Sequence, residues 1–266
     1  MTSVTALFVL TVACYVLASA LFGLDLGRGG PKFESWAVRA LWLATGVHCV
    51  YLGVDYAHSG RTPVATVHQT LAVLSLLIVV SFLATMRRHK LPVLGAFITP
   101  MTLLLLLAAG FKGHVAEVPE PVRSVLLPFH ILVNVLGLVA FSLAFAVAVA
   151  YVIQEQLLRR RQVGGVFQRL PALDVLDSWG FRLVTIGFPL FTLGVVTGSI
   201  WAARLGNMLE FSTGQGFALL AWVFFACVLL SRAAGGWQGR RAAIGTMLGF
   251  LCALAAIGGY VLRGEI

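Results

Sequence analysis

The sequence predicts an all-α fold, a polytopic membrane helical bundle of eight transmembrane helices with both termini outside the cytoplasm, organised as one integral membrane domain over residues 1–266. Three observations predict it. Hydrophobic residues make up 59% of the chain and charged residues 11%, at a mean hydropathy of +0.95, far outside the range of soluble domains. Apolar segments long enough to cross about 30 Å of hydrocarbon recur eight times, over about 4–24, 36–56, 63–86, 91–111, 124–152, 179–203, 215–231 and 242–262. Lysine and arginine alternate in density along the chain. One side receives fourteen, among them Arg28, Lys32, Arg87, Arg88 and the run Arg159, Arg160, Arg161, whereas the other receives five, Arg61, Lys112, Arg123, Arg204 and Arg263. Acidic residues divide five and five. The richer side is therefore cytoplasmic.

The formal charge of +9 does not point to nucleic acid, because the cations are spread over short loops rather than gathered on one folded face. The longest gap between segments, about 153–178, leaves no room for a soluble domain. Four cysteines, Cys14, Cys49, Cys227 and Cys252, fall inside spans without a CxxC pair and read as small packing residues. No CxxCH occurs, so haem is not attached covalently to this chain.

Helix one lacks a basic start and a small-residue cleavage site, so it is read as a span, and packing is its only assigned role. The turn DLGRGGPKFES leads to helix two, which carries His48 roughly 12 Å from its outer end if the helix stops near Tyr56. Gly46 beside it would allow close approach of a neighbour or a planar ligand. After the outer loop with His58 and Arg61, Thr62 and Pro63 read as N-cap and first-turn proline of helix three. That helix places His68 about 7–8 Å below the same surface, and RRHK ends it among cations that include His89. Helix four should bend near Pro100. The outer loop FKGHVAEVPEPVRS contains His114 and leads into helix five, with His130 roughly 9 Å deep. Between helices five and six, RRRQVGGVFQRLPALDVLDSWGFR reads as a solvated basic linker, with anionic lipid head groups or a soluble protein as the partners it could meet. In helix six, Gly194 and Gly198 form a small-xxx-small face and Pro189 should kink the helix. Helices seven and eight offer no titratable centre and read as structural.

Five of the six histidines thus map to the outer half or outer surface, and three of them, His48, His68 and His130, lie within the hydrocarbon. An imidazole in hydrocarbon costs free energy unless something uses its nitrogens. Two neutral imidazoles on opposing helices, between apolar walls, suit the axial coordination of haem iron. Zinc would want three or four ligands, and a proton relay would want carboxylates in the spans, where only Asp55 comes near. For each histidine taken singly, hydrogen-bonded packing is the competing reading.

Four blocks add a resemblance. LDSWGFRLVTIGFPLFTLGVVTGSIWA resembles the LDxLxYRxxxxGFPLLTLGxxxGAVWA stretch of the cytochrome c assembly family, the CcsA/CcmC type of haem-handling membrane proteins. HCVYLGVDYAHSGRTPVATVHQTL, FHILVNVLGLVAFSLAFAVAVAYV and GGWQGRRAA resemble three further blocks of that family in the same order. The resemblance implies that His130 corresponds to an external haem ligand and His48 to the histidine of the second helix. His68 falls where the family has a tyrosine and is an additional candidate. The family's tryptophan-rich segment, expected after GSIWA, is absent from NMLEFSTGQGF, and the histidine near the end of helix seven is replaced in VLLSR. These departures resemble the shorter HemX and YpjD-like branch, linked to tetrapyrrole biosynthesis through glutamyl-tRNA reductase.

The expectation is therefore a non-enzymatic, multi-pass protein of the bacterial inner membrane that binds haem b non-covalently, with His48 and His130 as axial ligands and His68 as alternate. Its partners would be membrane lipid, haem, and either cytochrome c assembly components or glutamyl-tRNA reductase docked on the linker at 154–178. A transmembrane b-type redox carrier is the less favoured alternative, since no second intramembrane histidine site lies near the inner side.

Overall fold

The computed structural model describes residues 3–29, 31–60, 64, 66–89, 91–110, 126–204, 213–235 and 238–263. Among them the regular elements are α1 (Ser3–Arg28), α2 (Pro31–Ser59), α3 (Val67–His89), a 3₁₀ turn (Pro92–Leu94), α4 (Gly95–Gly110), α5 (Leu126–Arg159), α6 (Val166–Arg169), α7 (Leu173–Arg204), α8 (Thr213–Ala233) and α9 (Arg240–Arg263). All but the four-residue α6 and the 3₁₀ turn are, by length and composition, membrane-spanning helices, eight in number, with Pro92–Leu94 opening the fourth. No strand occurs among the described residues. The all-α, eight-span reading of the sequence therefore holds.

The helices outrun the apolar segments that announce them. Helix α2 continues to Ser59, α5 continues to Arg159, and α7 begins at Leu173 rather than near 179. Hydropathy marks only the portion that fits hydrocarbon, whereas Gln, Glu, Leu and Arg carry the i→i−4 ladder on into the interfacial layer. A Glu155–Arg159 ion pair of 2.7 Å, four residues apart, supports this extension of α5. The linker expected over about 153–178 is corrected accordingly: only 160–165 and 170–172 lie outside helices. Helices α4 and α7 run through Pro100 and Pro189 respectively. At the start of α3 the cap is Thr66, whose Oγ1 accepts the Gln69 N–H at 3.2 Å; Thr62 and Pro63 lie outside the described residues.

The chain clusters into two compact units, Met1–Lys112 with Ile153–Leu173, and Gly113–Val152 with Asp174–Ile266. In the first, α1 packs along α2 and α4, and α3 packs on α4. Buried alanines at 18, 37 and 44 let backbones approach, which is how helices associate when the solvent is itself apolar. Phe22 of α1 meets Phe82 of α3 edge to face at 6.3 Å, over the bare Cα of Gly95. The linker is tied down in this unit at two points. Gln154 Nε2 donates to the Phe167 carbonyl at 3.2 Å, and Arg169 Nη1 donates to the carbonyls of Asp25 and Leu26, the latter at 2.8 Å. The guanidinium thus closes the carbonyl end of α1. Gly29, at φ +68°, completes that end, and a Cβ there would overlap the guanidinium.

In the second unit α8 packs along α9, and α5 meets α7 through an alternation of large and small residues. Phe141 of α5 stacks on Phe225 of α8 at 3.7 Å and meets Phe191 of α7 edge to face at 5.6 Å. Large side chains such as Ile186 and Leu230 face outward, which is the expected direction for apolar residues in hydrocarbon. Cys49 and Cys227 also face outward, so the packing role expected for all four cysteines does not extend to these two.

Candidate functional site

In the first unit the buried imidazole is His48, enclosed in the face that α2 turns toward α1. Its Nδ1 lies 3.1 Å from the hydroxyl of Tyr15 on α1. The two rings stand edge to face, 5.6 Å apart at 86°, and the Tyr51 ring lies 6.0 Å away on α2's next turn. Nε2 is buried without a well-formed hydrogen bond among the described residues, the Ala72 carbonyl of α3 being the nearby acceptor. With hydrogen on Nε2 the ring faces the Ala72 carbonyl as donor and Nδ1 accepts the Tyr15 hydroxyl; a metal at Nε2 requires the other tautomer, in which Nδ1–H donates to Tyr15 Oη and the Nε2 lone pair is kept. That is the arrangement in which an outer hydrogen bond orients a metal-ligating histidine. Helix one therefore does more than pack. The helix's single tyrosine was the available signal, and it is legible only once its neighbour is known.

In the second unit His130 stands on the first turn and a half of α5. Its Nδ1 lies 2.7 Å from Thr197 Oγ1 of α7, and its Nε2 lies 3.2 Å from Asn134 Nδ2, one turn along α5. The same Asn134 nitrogen donates to the His130 carbonyl at 2.8 Å. Space for these polar side chains comes from α7. A Cβ at Gly198 would come 3.3 Å from His130 Cε1, and one at Gly194 would overlap the Asn134 amide. The small-xxx-small face expected on this helix is therefore the surface against which the polar face of α5 lies. The sequence reading missed Asn134 and Thr197, although a polar residue four positions after a histidine in an apolar run is itself a signal.

The remaining histidines are placed differently. His68 is half-buried in the first turn of α3, beside Gln69, whose amide donates to Asp55 Oδ2 at 3.2 Å. His58 is exposed near the end of α2, its Nδ1 3.0 Å from the Val54 carbonyl. His89 is the last residue of α3, and His114 lies outside the described residues. Helix α2 runs past the Tyr56 end expected from the sequence, which places His48 about 16 Å from its last residue. Gly46 faces outward with nothing within 4 Å of where its Cβ would be, so it does not admit a neighbouring helix.

At the other end of the second unit two motif blocks meet. Asp177 of LDSW takes both terminal nitrogens of Arg232 on α8, at 2.7 and 3.0 Å, and also the Gly239 N–H of GGWQGRR at 3.0 Å. The Arg232 guanidinium lies 4.4 Å over the Phe181 ring. One carboxylate therefore joins α7, α8 and the turn into α9.

A family profile described as "Cytochrome C assembly protein" matches residues 64–261. The chain belongs to the cytochrome c assembly family. Its sequence is 27% identical over 258 residues to the cytochrome c biogenesis protein CcsA of Prochlorococcus marinus strain MIT 9301, covering 87% of this chain and 83% of that protein. The CcsA of Chlorella vulgaris is 25% identical over 294 residues, covering 96% and 93% respectively. A shorter stretch of 85 residues is 40% identical to the CcsA of Synechococcus sp. strain JA-2-3B'a(2-13), covering 32% and 24%. Membership of the cytochrome c assembly family carries with it a membrane protein serving cytochrome c assembly. The profile match takes in His68, His130, Asn134, Thr197 and the Asp177 clasp, whereas Tyr15 and His48 precede it.

Proposed function

We propose that this protein is a non-enzymatic haem-handling component of cytochrome c assembly in the bacterial inner membrane that binds haem b non-covalently, with His48 of the first unit and His130 of the second each a candidate axial ligand. The observation that carries the reading is His48: a fully buried imidazole whose Nδ1 is held by Tyr15 and whose Nε2 makes no well-formed hydrogen bond. The donor set fits the group, since neutral imidazole in an apolar setting with an outer hydrogen bond is a haem-iron ligand environment. Bound haem would supply an iron centre for axial ligation and is also the cargo of the process. On the protein side, Tyr15 fixes the rotation of His48 about its ring axis, and Thr197 does the same for His130. His68 is kept as an alternate ligand on position alone. The test is an optical spectrum of the detergent-purified protein with and without added haem. A Soret band that weakens in His48→Ala and in His130→Ala supports the assignment; a colourless protein that takes up no haem overturns it.

A second reading is favoured by the exposure of Arg159, Arg160 and Arg161 at the end of α5. In it the chain is of the HemX type, and this basic corner docks a cytoplasmic partner such as glutamyl-tRNA reductase, thereby regulating tetrapyrrole biosynthesis. Neutralising the three arginines should then reduce partner recovery without unfolding the bundle. Unchanged recovery would remove this reading and leave the first in place.

A further inference from the structure

The hydrogen bonds around His130 determine where its ring proton sits. Asn134 Nδ2 is identified as the nitrogen of its amide by the 2.8 Å bond to the His130 carbonyl, which can only accept. The same nitrogen faces His130 Nε2 at 3.2 Å, so Nε2 must be an acceptor; a hydrogen there would set donor against donor. The neutral ring then carries its hydrogen on Nδ1, 2.7 Å from Thr197 Oγ1. Thr197 can accept it, because its own hydrogen has the Leu193 carbonyl at 2.8 Å and the Gly194 carbonyl at 3.0 Å to satisfy. The imidazole, the amide and the hydroxyl are mutually consistent in this arrangement, and the Gly194 carbonyl beside the ring is a further acceptor for a ring N–H.

We propose that Thr197 and Asn134 are positioning residues for His130: Thr197 locks the Nδ1–H tautomer, and Asn134 covers the Nε2 lone pair with an amide that an incoming metal must displace. The exchange balances without a redox or proton-transfer step. One hydrogen bond, Asn134 Nδ2–H to Nε2, breaks; one dative bond from Nε2 forms; the hydrogen stays on Nδ1, donated to Thr197 Oγ1. Asn134 keeps its bond to the His130 carbonyl or rotates away, and Gly194 sets how far it can turn toward α7. The result is a ligand that is ready in tautomer but held in check until a Lewis acid arrives, as a protein that hands haem on would need. The metal-binding half of this proposal rests on the haem reading above; the tautomer half does not.

The test separates the two. Full-length protein labelled with ¹⁵N-histidine is examined without haem, in detergent or bilayers, by ¹H–¹⁵N ring correlations, and the His130 signals are identified by their loss in His130→Gln. The expected result is hydrogen on Nδ1 and a bare Nε2. Thr197→Val should give the other tautomer or a mixture, and Thr197→Ser should restore the first. Hydrogen on Nε2 in the unsubstituted protein, or no response to Thr197→Val in a folded variant, would overturn the lock; should Thr197→Val not fold, the unsubstituted protein decides alone. A haem titration then compares Asn134→Ala with the unsubstituted protein. Loss of the competing hydrogen bond should tighten binding by about threefold to tenfold. Weaker or unchanged binding would show Asn134 to be structural and overturn the cover. If the lock is seen but the unsubstituted protein takes up no haem, the haem reading alone fails.

Discussion

Gly194 of α7 faces the Asn134 side chain of α5 so closely that any Cβ at 194 would overlap the amide. The glycine is therefore part of the His130 environment. Gly194→Ala should push Asn134 off His130 while leaving the fold, since the displaced group is the end of a side chain. We expect a stability loss of about 0.5–1.5 kcal/mol from the broken hydrogen bonds, and a changed His130 ring signal. An unchanged signal would show that the helices part instead of the amide moving.

Seven residues earlier on the same helix the outcome should differ. A Cβ at Gly187 would come 2.7 Å from Cε1 of Phe141, a fully buried ring stacked on Phe225. The ring has nowhere to go, so Gly187→Ala should cost about 1–3 kcal/mol by overpacking. Thermal denaturation in detergent should show Gly187→Ala lowering Tm more than Gly194→Ala.

The Asp177 carboxylate accepts three hydrogen bonds from two other segments. Asp177→Ala should cost about 1.5–3 kcal/mol, the range for hydrogen bonds to a charged group. Asp177→Asn, which keeps an acceptor for Gly239 or Arg232, should lie between that variant and the unsubstituted protein. A melting series on the three proteins checks the order, and equal Tm values would dismiss the clasp as a surface pair.

Tyr15→Phe removes only the hydroxyl that faces His48 Nδ1. The expected stability loss is small, about 0.5–1.5 kcal/mol. If His48 ligates iron, the haem spectrum of this variant should lose low-spin character while the Thr197 and Asn134 variants change it through His130. A spectrum identical to that of the unsubstituted protein would detach Tyr15 from ligation.

Arg169 holds the linker against the carbonyl end of α1. Arg169→Ala should speed tryptic cleavage at Arg160 and Arg161. In oriented vesicles that cleavage should occur only from the cytoplasmic face, which also tests the expected placement of both termini. Cutting from the opposite face would invert the topology.

The span count was legible in the sequence because crossing hydrocarbon demands an apolar run of fixed minimum length, and each run can be read without knowing its neighbours. His48, His68 and His130 stood out for the same one-dimensional reason: a polar ring in an apolar run is locally anomalous. Helix ends were less legible, since the interfacial turns around Ser59, Arg159 and Leu173 are polar yet still helical.

What the amino-acid sequence determined by itself is a helical membrane protein of the cytochrome c assembly type with imidazoles in its spans. Tertiary structure decided what those imidazoles touch. Tyr15 lies 33 residues from His48 and Thr197 lies 67 from His130, separations at which no helical periodicity operates. Only the packing of α1 on α2, and of α5 against the glycine face of α7, brings the oxygen of each partner within hydrogen-bonding distance. The tautomer of His130 follows from that packing, because a ring nitrogen takes its proton state from the atom opposite it and not from its place in the chain.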